Sequence, residues 1–180
     1  MNLDALVEAL PAYAKDLKLN FSSLVRNQTE LTPSQLWGTV VASAMVSRNR
    51  ELTQSVLAEA SAQAPEIVEA AKAAGAIMGM NNIYYRFTHL VSNEKYRGMP
   101  ARLRMNVMRS HGAAAVDFEL WCIAASAING CAACVDAHER TLHEKGIPEE
   151  LVAAAVRVSA VIHAIATVLD AESIAAAAGA

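Results

Sequence analysis

Aromatic residues are scarce in this chain. They make up 5% of 180 residues that are otherwise 54% hydrophobic. A core built on large rings is therefore excluded, and the apolar mass must be alanine and aliphatic side chains. Such a composition favours helices that approach closely through small residues. Positive charge is also thin. With 15 Lys and Arg against 18 Asp and Glu, the formal net charge is −3, and no basic stripe or arginine-rich run occurs. This argues against a nucleic-acid-binding surface. Long uninterrupted apolar runs are missing too: Val152–Leu169 carries Arg157 and His163, and Ala70–Met80 contains glycines. No segment therefore reads as a membrane span. The N-terminal MNLDALVEAL places Asp4 and Glu8 where a secretory leader needs basic and then apolar residues. A cytoplasmic location follows as the expectation. There a close cysteine pair is read as catalytic or metal-binding rather than as a structural staple.

What is present reads almost entirely as helix, and no strand is expected. Leu3 to Leu10 is amphipathic and stops at Pro11. Thr32-Pro33-Ser34-Gln35 combines a capping residue, a proline suited to the first turn and a glutamine able to close a capping box. A helix to about Val46 follows. Further helices are predicted over Glu51–Ala62, Glu66–Tyr85, Ala114–Ile128 and Cys131–Lys145, and from Pro148 onward. Thr88 to Gly112 reads as a long connection with one short helix, and the final AAAAGA as a frayed end.

One self-similarity stands out. QLWGTVVASAMVSRN at 35–49 resembles ELWCIAASAINGCAA at 119–133. Each copy is followed by a helix and then by a longer apolar one. The expectation is one all-α domain over 1–180 with an internal duplication. A first helical unit, 32–87, would lack cysteines, and a second, 114–172, would carry the chemistry. The apolar excess further predicts a homo-oligomer.

The chemistry concentrates in AINGCAACVDAHE, residues 127–139. Asn129-Gly130 forces a turn, so Cys131 falls at a helix N-terminus, where the dipole and free N–H groups favour thiolate over thiol. Cys134 lies one turn on and His138 one turn further, so two sulfurs and an imidazole share a stripe. Zinc would require a fourth ligand, and His111, His143, Cys122 and Glu119 form no paired motif with these residues. A thioredoxin-type site would require a βαβ pattern, and none is visible. A helical dithiol enzyme is the strongest reading, and a zinc or redox-sensing module stays open beside it. Cys122, next to Trp121, reads as a small buried hydrophobe. His89, His111, His143 and His163 read as surface or structural residues. Asn81-Asn82, Tyr84, Tyr85 and Arg86 read as structural or interface groups.

The pattern Glu119-x11-Cys131-x-x-Cys134-x3-His138 resembles the alkylhydroperoxidase D family of the carboxymuconolactone decarboxylase-like superfamily. LPAYAKDLKLN (10–20), QLWGT (35–39), IMGMNNIYYR (77–86), LRMN (103–106), FELW (118–121) and SAINGC (126–131) extend the likeness over nearly the whole chain. The resemblance implies an all-helical fold, a homotrimer and lipoyl-dependent peroxiredoxin activity on hydrogen or alkyl hydroperoxides. It implies no bound cofactor and no metal, with dihydrolipoamide as external reductant. The implied partners are an alkylhydroperoxidase C-type peroxiredoxin, a lipoylated acyltransferase and dihydrolipoamide dehydrogenase. Carried over residue by residue, Cys134 would be the peroxidatic thiol that passes through a sulfenic acid. Cys131 would be the proton donor and resolving thiol, closing a Cys131–Cys134 disulfide, and His138 and Glu119 the proton relay. The chain departs from the family at Ala133, where the family's motif commonly carries a histidine between the cysteines.

Overall fold

The computed structural model describes residues 2–178, and among these the regular elements are all helical. In chain order they are α1 (Leu3–Glu8), α2 (Lys15–Phe21), α3 (Pro33–Ser47), α4 (Arg50–Gln63), α5 (Val68–Leu90), α6 (Ala115–Asn129), α7 (Ala132–Glu144) and α8 (Glu149–Ala178). Short 3₁₀ turns precede α2 and α5, and a π-helical turn, Ser22–Arg26, follows α2.

Local signals account for the main boundaries. Thr32 accepts from the Gln35 amide while the Gln35 side chain accepts from the Thr32 amide, which completes the expected capping box at the start of α3. α6 ends at Gly130 (φ 66°). Its N–H bonds to Ala127 O, and the next N–H, of Cys131, reaches back to Ser126 O. These are the two bonds of a Schellman closure, and the left-handed residue at its centre is where glycine costs least.

α3 and α6 lie against each other at the centre of the molecule. Gly38 permits their approach, because a Cβ there would overlap the Trp121 ring. The two similar segments fall on these two helices, each fifteen residues long. One connected cluster of buried apolar side chains runs from Leu3 on α1 to Ala166 on α8. Trp121, Phe118, Leu52, Met78 and Ile162 are among its largest fully buried members.

Several sequence expectations need correction. α5 runs on to Leu90, past its predicted end near Tyr85, and Asn82 is held inside the protein by Ser126 and Asn129, the structural role expected of it. The connection after it holds two 3₁₀ turns, Glu94–Gly98 and Asn106–Met108, rather than one short helix. α2 and the π-helical turn had no predicted counterpart. The alanine-rich tail is helical to Ala178, its last two residues lying outside the described ones. α8 also proves long and apolar enough to cross a membrane by length and composition, despite Arg157 and His163. Its apolar character has a use within the fold, since Ala154, Ala155, Val158, Val161, Ile162 and Ile165 are buried in the core.

Candidate active site

Three helices meet at the site. α7 supplies Cys134 and His138, α6 supplies Glu119, and α5 supplies Met78, Asn81 and Tyr85. Cys131 is the link that fixes α7 on α6. Its N–H closes α6, and its carbonyl accepts from Cys134 N and Val135 N at 3.0 and 2.9 Å to start α7. It is therefore the N-cap, so that α7 starts at Ala132, one residue after the predicted start, and its side chain makes no capping bond. The turn after α3 is built with a different choice. There Arg48 is left-handed and Asn49 caps α4 by accepting from Leu52 N. Replacing a capping side chain by a non-capping one costs typically about 1 kcal/mol. At α7 that stabilisation is forgone and a sulfur stands at the helix N-terminus instead.

Cys131 and Cys134 form a disulfide across this first turn, with Cα atoms 5.3 Å apart, inside the range such bonds span. Cys131 is fully buried, and Cys134 is 6% exposed at the wall of a cavity of about 270 Å³. Met78, Asn81, Tyr85, Ala133, Ala137 and His138 complete the lining. Cys134 Sγ lies 4.0 Å from the backbone carbonyl of Asn81, at the outer limit for a sulfur contact. The cavity thus abuts the second sulfur of the motif and not the first.

Glu119 Oε2 stands 2.6 Å from His138 Nδ1, with both side chains largely buried. The other ring nitrogen, Nε2, faces the Met78 sulfur at 3.3 Å. Ser126 Oγ, at 3.3 Å, and Asn82 Nδ2, at 3.7 Å, point at the same thioether. Asn82 Nδ2 also donates to Ser126 Oγ at 2.9 Å, and Asn129 donates to Asn82 Oδ1 at 2.9 Å. Arg86 on α5 donates to the Asn129 carbonyl at the end of α6. This network ties α5 to the last turn of α6, and so holds the cavity wall against the cysteine turn.

Of the predicted site residues, the structure gathers Cys134, Cys131, His138 and Glu119 in one place. Glu119 and His138 are in direct contact. Cys134 and His138 share the cavity, and the Cys134 sulfur is turned to Cys131. Cys122 is fully buried away from the disulfide, and burial, with Glu119 adding to it, pushes its thiol well above the ordinary range. It is the one cysteine held in the unreactive form. His111 stacks on Phe118, His163 meets Ser47, and His143 is exposed near Glu149. None of these lines the cavity. Among the described residues no three His, Cys, Asp or Glu side chains gather as a metal site.

IMGMNNIYYR divides differently from its structural reading. Asn82 and Arg86 do bind neighbouring elements, but Met78, Asn81 and Tyr85 line the cavity. The available signal was Asn81-Asn82 itself, two poor helix formers in an alanine-rich helix.

Comparison with known proteins bears on the whole chain. Residues 95–177 match the carboxymuconolactone decarboxylase family. A protein of Acidobacterium capsulatum named alkyl hydroperoxide reductase AhpD is 62% identical over 175 residues, covering 97% of this chain and 96% of that one. Proteins of the same name from Koribacter versatilis and Solibacter usitatus are 57% and 55% identical. Each match covers 96% of this chain, with 89% and 98% of the relative's length. The chain belongs to the alkylhydroperoxidase D family. The family match spans α6, α7 and most of α8, so it covers the cysteine turn and Glu119. The cavity wall on α5 lies outside that span and inside the longer likeness to the full-length relatives.

Proposed function

We propose that this protein is a dithiol peroxidase that reduces hydrogen and alkyl hydroperoxides. The single observation that carries the reading is the Cys131–Cys134 disulfide, whose second sulfur opens on a cavity also lined by His138, the partner of Glu119. The names of its relatives, alkyl hydroperoxide reductases, support it.

The chemistry runs as follows. In the reduced protein the Cys134 thiolate attacks the terminal oxygen of R–O–O–H. An S–O bond forms and the O–O bond breaks. Sulfur is oxidised to a sulfenic acid, the peroxide is reduced by two electrons, and the departing RO⁻ takes a proton to leave as ROH. His138 supplies and recovers protons at the cavity wall, with Glu119 orienting its ring through Nδ1. Cys131 then attacks the Cys134 sulfenic sulfur, water leaves, and the disulfide closes. Dihydrolipoamide, an external dithiol, reduces that disulfide by two exchanges and becomes lipoamide. No bound cofactor or metal takes part.

In this reading the lipoyl group sits on an acyltransferase and is kept reduced by dihydrolipoamide dehydrogenase. The same dithiol passes electrons to an alkylhydroperoxidase C-type peroxiredoxin, in the cytoplasm where thiol pools are reducing. The protein works as a homotrimer. Exposed apolar side chains on α5 and α8, Ile83, Phe87, Leu90 and Ile174, support an oligomer. Ala133 favours a second reading, a general thiol–disulfide oxidoreductase with another reductant. The base that the family's motif commonly supplies beside the first cysteine is missing here.

A coupled assay tests the proposal: NADH, dihydrolipoamide dehydrogenase, lipoamide, this protein and an organic hydroperoxide. NADH consumption that requires all the components is the expected result. Turnover with thioredoxin or glutathione but not with dihydrolipoamide would replace it by the second reading.

A further inference from the structure

Asn81 is a polar residue of the cavity wall with no role in the relay. It is 6% exposed, lines the cavity beside Cys134, and its amide oxygen is buried without a hydrogen-bond partner. Its neighbour Asn82 shows the contrast, with both ends of its carboxamide bonded to α6. Leaving a buried amide oxygen unpartnered is costly, and asparagine is also a poor helix former. Helix packing explains Asn82 and leaves Asn81 unexplained. A half-turn about the terminal torsion exchanges its oxygen for its nitrogen at nearly the same place. The carboxamide can therefore offer the cavity either donors or an acceptor without moving α5.

The geometry points to Asn81 as the residue that binds the hydroperoxide, its N–H donating to the oxygen that leaves as alkoxide when Cys134 attacks. The inference rests on the peroxidase reading of the site. Negative charge passes from the thiolate to the leaving oxygen as the O–O bond breaks. A donor fixed in a mostly apolar cavity is worth more to that oxygen than to the neutral peroxide. Electrons and atoms balance as in the peroxidase step: Asn81 gives up no proton, and RO⁻ is protonated by the relay. Met78, Ala133 and Ala137 in the same lining are apolar and can take the alkyl part. Asn81 then makes the site selective between its two kinds of oxidant. When a disulfide is the oxidant, the leaving atom is a sulfur, a weak hydrogen-bond acceptor, and the amide contributes little.

The test uses Asn81→Leu, of similar volume and without a polar atom, and Asn81→Ala as a second variant with high helix propensity. Reduced protein is mixed in a single turnover with tert-butyl hydroperoxide and, separately, with a small aromatic disulfide. The expected result is a peroxide rate about five- to tenfold lower, the size of one lost hydrogen bond. The disulfide rate stays within twofold and the thermal midpoint is unchanged or higher. Equal peroxide rates in variant and wild type overturn the inference. So do equal losses in both reactions, which mark a structural role. A wild-type protein inert to the hydroperoxide but reactive with the disulfide overturns the peroxidase reading itself, a result distinct from either.

Discussion

Glu119→Gln isolates the charge of the relay from its shape. Glutamine has nearly the same volume and still offers His138 Nδ1 an oxygen acceptor, so the 2.6 Å contact can persist. What changes is the strength of the bond when the imidazole carries a proton. Hydrogen bonds involving a charged group contribute about 1.5–3 kcal/mol and neutral ones about 0.5–1.5 kcal/mol. The pair is little screened, at 9% and 18% side-chain exposure. The substitution therefore removes about 1–1.5 kcal/mol from whichever state holds the imidazolium, close to the 1.4 kcal/mol that corresponds to a tenfold rate. Oxidation of Cys134 by one equivalent of hydroperoxide should slow about tenfold, followed by rapid quench and intact mass. In a His138→Ala background the same substitution should add almost nothing, because Glu119 acts through the ring. A Glu119→Gln protein within twofold of wild type, or a full tenfold loss that persists without His138, would refute the reasoning.

Cys134→Ser should abolish peroxide turnover, measured in the coupled NADH assay, and normal turnover would remove Cys134 from the peroxidatic role. Cys131→Ser should leave the first step intact and halt the cycle, so that after one equivalent of peroxide the intact mass shows one added oxygen. Gly38→Ala should destabilise the fold by about 1–3 kcal/mol, the range for an overpacked core, because its Cβ would overlap the Trp121 ring. Thermal unfolding by circular dichroism would show it as a midpoint lowered by several degrees, and an unchanged midpoint would mean that α3 and α6 can separate freely. Asn82→Ala should cost about 1–3 kcal/mol by leaving Ser126 and Asn129 without their shared partner, read in the same experiment.

Where the sequence could be read, the deciding interactions were local. The capping box at Thr32, the Gly130 closure and the i, i+3, i+7 stripe of Cys131, Cys134 and His138 each lie within a few residues. Their physics is written in the spacing. The Glu119–His138 contact joins two helices, and only the family resemblance suggested it. Asn81 and Tyr85 were read as structural or interface groups, and Met78 was given no role, because their place depends on which face of α5 meets α7, and no spacing within α5 states that. Asn82 is a poor helix former that α5 nevertheless accommodates. Its unfavourable propensity is offset by buried hydrogen bonds to residues more than forty positions away. The apolar extent of α8 was understated because charged or polar interruptions such as Arg157 and His163 cost little on a face that stays outside the core, where Arg157 pairs with Glu30.

Ala133 is where the local design and the family pattern part. It stands at the second position of α7, on the cavity wall next to Cys134. An imidazole there could take the proton of the first cysteine, whereas a methyl group leaves that task to the helix N-terminus. The dipole contributes about 0.3–1 kcal/mol at an exposed terminus and up to about 2 kcal/mol when partly buried. Cys131 is fully buried. Capture of the Cys134 sulfenic acid requires Cys131 as the nucleophile. In the opposite direction, reduction of the disulfide through the cavity-facing sulfur of Cys134 requires Cys131 as the leaving thiolate. The alanine therefore bears on resolution and on re-reduction, and leaves the attack of Cys134 on peroxide to His138 and Glu119. In exchange, the side chain it lacks leaves room in the cavity beside the reacting sulfur, toward the apolar wall of Met78 and Ala137.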